Sequence, residues 1–255
     1  FGSSFRLEFS GKPPDSRADF PLKIYYNFIA MAEKDKMPEV DSWGSAKFFP
    51  LLIVGVVLPR IIGGAIAVAI FQKGNTALYN ENMALLVKGE HGYLYAAAAV
   101  FGVMVSWVNQ FPMLYKHKVM RLNSGNLRAN MMIYKELGAK EDAPYVGLET
   151  QGPVGCYNRA NRSLFHFNEN SLAFVASVVL AGIVFPFPVL ALTALFSLGR
   201  IMHQVGYAGV GYGGHALGHV TSMLADMVVQ MLCVLVAVKS LGYSSQVSQI
   251  IRVEL

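Results

Sequence analysis

The chain has 255 residues, of which 54% are hydrophobic and only 15% charged, with a mean hydropathy of +0.41 and a net charge of +5. That balance is too apolar for an ordinary soluble domain of this length, so the sequence reads as an integral membrane protein. It also argues against a nucleic-acid role, because no aromatics are interleaved with basic residues as on a nucleic-acid-binding surface.

Residues 1–47 form a polar extension with Pro13-Pro14, charges of both signs and a short apolar patch from Leu22 to Met31 suited to a membrane surface. The sequence opens on Phe1 without an initiating methionine, which is expected if a leader is removed on import into an organelle. Residues 48–71 carry eleven apolar-run residues on each side of Pro59-Arg60. They fit either a kinked span or two short interfacial segments.

Four apolar runs follow, at about 93–115, 156–184, 188–207 and 217–241, each long enough for a helix across a hydrocarbon core of about 30 Å. None alternates apolar with polar residues, which excludes a transmembrane β-barrel. The middle two are separated only by Pro186-Phe187-Pro188 and form an antiparallel hairpin. Between the first and second lies a loop, 116–144, whose Lys116, Lys118, Arg121, Arg128, Lys135 and Lys140 exceed its acids by three. Such a loop faces the compartment where insertion begins and attracts anionic headgroups.

Within the runs, charged and titratable residues mark candidate sites, since lipid does not solvate them. Arg159 and Arg162 open the second run, and Arg200 with His203 and Tyr207 lies near the end of the third. The structural alternative for these arginines is snorkelling to headgroups. His215 and His219 are spaced i, i+4 on one helical face and are candidate ligands for a metal or a tetrapyrrole, without the glutamate of a metalloprotease motif. The glycines between Gly206 and Gly218 serve a turn and close helix approach rather than a nucleotide site. Cys156 and Cys233 offer no bridge that spacing alone supports, and Cys156 next to Arg159 could be a reactive thiol or an inert buried one.

From about 93 to 243 the order of elements resembles the MAPEG family, the membrane-associated proteins of eicosanoid and glutathione metabolism. Arg159-Ala160-x-Arg162 is similar to that family's Arg-Ala-His stretch, and Gly199-Arg200 with His203, Tyr207 and Gly209 to its second signature. The resemblance implies an all-α fold, a four-helix transmembrane bundle, here preceded by the additional apolar segment and the polar extension. It implies homotrimers that bind glutathione between subunits, with Arg159, Arg162 and Arg200 holding its carboxylates and Tyr207 or His203 assisting the thiol. Departures from the family pattern fall at Gly155-Cys156, Ser163, His166 and Gly213-Gly214-His215, the last standing where the family carries an arginine.

Two function classes follow. In one the chain is a non-catalytic accessory subunit of a larger organellar membrane complex, respiratory or photosynthetic, with other membrane subunits and bound lipids as partners and no resident cofactor. In the other it is a glutathione-dependent transferase or peroxidase acting on lipid-soluble electrophiles. The departures and the extra N-terminal segment favour the first. A channel or transporter is disfavoured by the lack of an internal repeat or an intramembrane acid pair.

Overall fold

The computed structural model describes residues 49–120, 131–137 and 145–243. The expected extension over 1–47 lies outside the described residues, as do Arg121, Arg128 and Lys140 of the basic loop.

Helix α1 (Phe49–Lys73) runs unbroken through Pro59, so the alternative of two short segments gives way to a single helix. The reason lies in its partner, α3 (Gly92–Gln110). Proline has no N–H to give the carbonyl four residues back, which here is Gly55 O. Gln110 Nε2 donates to that oxygen at 2.9 Å in its place. One residue on, Arg60 donates to Val56 O (2.5 Å), Gly102 O (2.6 Å) and Ser106 Oγ (2.8 Å). These bonds dock the first half of α1 on α3, where Leu52 and Val56 are buried. Beyond Arg60, residues 61–70 are exposed on every side.

Between them, α2 (Thr76–Val87) occupies a stretch that sequence patterning leaves unassigned. Its N-terminus is capped by Asn75, whose side chain accepts from Leu78 N at 3.1 Å. After α3, Pro112 interrupts the path, and α4 (Met113–Met120) continues it. A two-stranded antiparallel hairpin follows, β1 (Tyr134–Leu137) in the basic loop paired with β2 (Tyr145–Leu148) just beyond it. Asn158 fastens this hairpin: its Oδ1 accepts from Ile133 N (2.9 Å), and its Nδ2 donates to Ile133 O (2.7 Å) and Glu149 O (2.8 Å).

Asn158 belongs to α5 (Gly152–Val184), 33 residues long. At 1.5 Å per residue that is about 50 Å, well beyond a core of about 30 Å, so its polar first turns stand at the membrane boundary. Phe185 alone separates α5 from α6 (Pro186–Val210). Pro186 and Pro188 belong to the helix rather than to a turn before it, because the first turn needs no N–H partner there. The last helix is α7 (Ala216–Ser240). Among the described residues, counting α1 and the α3–α4 segment, five helical segments are long and apolar enough to cross a membrane, and the fold is that of an all-α membrane protein.

Helix α6 is central and packs on α3, α5 and α7. Its apolar contacts centre on a stack in which the Phe174 and Phe196 rings lie 3.8 Å apart and Phe101 closes against both. Against α7 the approach is backbone to backbone. A Cβ on Gly199 would meet Ser222 N at 2.6 Å, and one on Gly218 would collide with His203 N. Gly206 and Gly214 repeat the arrangement one to two turns on. Gly211 (φ 91°) and Gly213 (φ 93°) make the intervening turn in the left-handed region that other residues avoid.

Gly218→Val should therefore push α7 off α6 and lower stability by about 1–3 kcal/mol, read as thermal unfolding in detergent. An unchanged midpoint would mean that the helices do not meet at this glycine. At the hairpin, Glu149 accepts from Gln151 N (2.8 Å) and Lys135 Nζ (3.0 Å), and these bonds, the Gln151 one foremost, hold its carboxyl below the usual range against an opposing effect of burial. A carboxylate depressed on folding stabilises at neutral pH and loses that contribution as pH falls through its folded value. Protection of the Gln151 amide from exchange should decline on acidification in the parent chain and be pH-independent in Glu149→Gln.

Candidate functional site

The polar residues of α6 build the site. Thr193, Ser197, Arg200 and Gln204 recur at i, i+4, i+7 and i+11, one face of a helix, and all are buried. Gln204 Nε2 donates to Val108 O at 2.8 Å. Arg200, 4% exposed, donates from Nη2 to Ser163 O (3.1 Å) and from Nη1 to His166 Nδ1 (3.2 Å), with its guanidinium 5.8 Å above the Phe167 ring. The Arg200 Nε hydrogen has no acceptor among the described residues. Burial at this level rules out snorkelling for Arg200: its charge is held by neutral acceptors inside the bundle.

One turn along, His203 Nδ1 and Ser163 Oγ lie 2.8 Å apart. The His203 ring centre is 5.7 Å from that of His166, 5.4 Å from His215 and 5.9 Å from His219. Tyr207 adds its ring 5.2 Å from His215. Tyr212, 90% exposed, stands at the rim. These groups enclose an open cavity of about 180 Å³ that Arg162 and Ser163 also line. The histidines thus come together from three helices, α5, α6 and the start of α7. A second cavity of about 110 Å³ shares His166 and His219 with the first and is lined further in by Arg200, Ser222 and Asp226.

The three arginines do not converge. Arg162 reaches the outer cavity, half-exposed and 3.3 Å from Glu169 Oε1, and Arg200 reaches the inner one. Arg159 lines neither. Its Nε donates to Tyr207 O (2.8 Å), its Nη2 to Ala208 O (2.9 Å) and Cys156 Sγ (3.3 Å), and its Nη1 to Thr150 O (2.8 Å). The last turn of α6 carries the negative end of the helix dipole, and Arg159 meets it with a charged donor to Ala208 O and a second donor to Tyr207 O, which also accepts from Gly211 N (3.1 Å). It is a clamp between α5 and α6 rather than a free carboxylate fork. Cys156 beneath it is buried and, like Cys233, unbridged.

Of the residues singled out from sequence, Arg162, His203, Tyr207, His215 and His219 meet at one cavity and Arg200 lies at its neighbour. The His215 and His219 rings are 6.4 Å apart, and among the described residues no group of three His, Cys, Asp or Glu side chains is placed to hold a metal ion. Sequence patterning missed Tyr212, Ser222 and the polar stripe of α6. The stripe was readable as helical spacing of polar residues inside an apolar run, whereas Tyr212 and Ser222 carry no local signal.

Arg159→Ala should fray the end of α6 and cost about 1–3 kcal/mol, since buried carbonyls lose a charged donor. Arg159→Lys should recover less than half, because an ammonium lacks the planar fork that spans four acceptors. Thermal unfolding of the two variants in detergent is the comparison to make, and full recovery by lysine would show that charge alone matters.

The model of the MAPEG family matches residues 93–239, more than half of the chain. No curated protein and no solved structure matches it. The match begins at the start of α3 and ends within the last turn of α7, so it spans the helices that build both cavities and leaves α1 and α2 outside. This integral membrane protein belongs to the MAPEG family.

Proposed function

We propose that this MAPEG-family chain is a non-catalytic accessory subunit of a larger membrane complex in an organellar energy-transducing membrane, respiratory or photosynthetic. The observation that carries the reading is the state of the arginines: Arg159 and Arg200 are turned onto the chain's own carbonyls, and Arg162 is the one of the three at the outer cavity. A glutathione site would need forks directed at a ligand. The outer cavity, at about 180 Å³, is also smaller than the ~300–1,000 Å³ of most small-molecule clefts. The second half of α1, apolar and exposed on every side, supports the same reading, because it offers surface to bound lipids or to other membrane subunits.

A second reading, a glutathione-dependent transferase or peroxidase working as a homotrimer on lipid-soluble electrophiles, is favoured by one observation: Arg162, His203 and Tyr207 line the same open cavity. In that case Arg162 and Arg200 hold carboxylates and Tyr207 or His203 assists the thiol.

Gentle solubilisation of the native membrane, native-gel sizing and mass spectrometry, followed by a glutathione-binding assay on the isolated band, separates the two. Migration with a set of other subunits and no glutathione binding is the expected result. A small trimer that binds glutathione, and loses it in Arg162→Ala, would overturn the accessory reading.

A further inference from the structure

The inner cavity poses a problem that the family fold does not answer. Arg200 lies ten residues before the end of α6, and Asp226 lies ten residues after the start of α7. The end of α6 and the start of α7 are at the same membrane face, as the Tyr207–His215 ring contact requires. At 1.5 Å per residue both side chains therefore stem from about 15 Å below that face, close to the middle of a core of about 30 Å. A cation and an acid flank one cavity at the depth where charge is most costly, and no direct hydrogen bond or ion pair joins them. Asp226 accepts from Gln230 Nε2 at 2.9 Å.

Further buried groups along the same line lack a partner among the described residues: Arg200 Nε, and His215 Nδ1 nearer the surface. In hydrocarbon each such group costs several kcal/mol unless water meets it. This cavity of about 110 Å³, whose wall mixes Arg200, Asp226, Ser222 and the exposed Asn170 with Phe167, Phe196 and Met223, has room for about three waters at ~30 Å³ each. His166 and His219 stand between this cavity and the open one at Tyr212, and the rings of His203 and His215 continue the line to the surface.

We propose that the two cavities form one water-filled crevice, open at the Tyr212 face, through which Asp226 exchanges protons with one side of the membrane only. Water and imidazole both accept and donate protons, so His219, His203 and His215 with intervening water are a relay medium, while His166, whose Nδ1 accepts from Arg200, is part of the wall. Each transfer balances, since a ring takes a proton at one nitrogen and releases one from the other. The groups facing Asp226 in the crevice are Arg200 from α6, His166 and Asn170 from α5, and His219 and Ser222 from α7, with Gln230 on its own helix. α3 supplies none. Past Gln230 the helix is apolar to Val238, so the crevice ends at mid-membrane. The inference does not depend on the accessory reading, and it concerns a proton site rather than a glutathione subsite.

The test uses the full chain reconstituted in liposomes, with Cys156 and Cys233 replaced by alanine and single cysteines placed at Ser222, Met223 or Leu224. A charged, membrane-impermeant methanethiosulfonate should modify Ser222→Cys and Met223→Cys at least about tenfold faster than the lipid-facing Leu224→Cys, and only from the Tyr212 face, because the reaction needs a hydrated thiolate. Equal rates at the three positions, or labelling from both faces, would overturn the crevice. For the proton, infrared difference spectra between acid and neutral pH should contain a protonated-carboxyl band that shifts promptly in D₂O and is missing in Asp226→Asn. A spectrum unchanged by that substitution, with labelling intact, would overturn the proton site and leave only a wet crevice.

Discussion

Lipid offers no hydrogen bonds, so each polar group carried into the bilayer must find its partner inside the protein, and the arrangement around α6 follows from that constraint. Four buried polar side chains on one face of α6 are committed to the interior before any packing is considered. Two of them find partners, Arg200 in Ser163 O and His166 of α5 and Gln204 in Val108 O of α3, and these bonds fix α6 between the two helices, while Thr193 Oγ1 and Ser197 Oγ have no partner among the described residues. Glycine then sets how close α7 comes: with hydrogens at Gly199 and Gly218 the two backbones touch, and the histidines at the start of α7 are brought against those of α5 and α6.

The same constraint explains the treatment of proline and arginine in α1. Pro59 leaves Gly55 O without a donor, and Arg60 brings a charge to mid-helix. Both demands are met from α3, by Gln110 and by the carbonyl and hydroxyl of Gly102 and Ser106. What looks like two flaws in an apolar run is the attachment of an added helix to a family bundle. The attachment is local, and the half of α1 beyond it touches little of the described chain.

Arg159 and Arg200 show how one residue type in one motif can carry different work. Arg159 holds α5 to the end of α6 through four acceptors, Arg200 sits among neutral partners beside Asp226, and Arg162 alone of the three keeps contact with the open cavity. Spacing put all three on or near helix ends but could not tell a clamp from a ligand, because that depends on which carbonyls the folded neighbours present.

The sequence alone determined that this protein crosses a membrane, where its four family helices run, and that the arginines and histidines of the last three helices matter, because apolar run length and charge within lipid are local properties. It carried the family signature at Arg159-Ala160 and Gly199-Arg200 as well. Only the tertiary structure decided that α1 is one helix, since the donor that replaces the proline's missing N–H comes from a residue 55 positions away. It also decided that the histidines gather at one cavity while Arg159 turns away from it. Those outcomes are set by helix–helix contact between residues 16 to 55 apart in the chain, and no short window of sequence contains them.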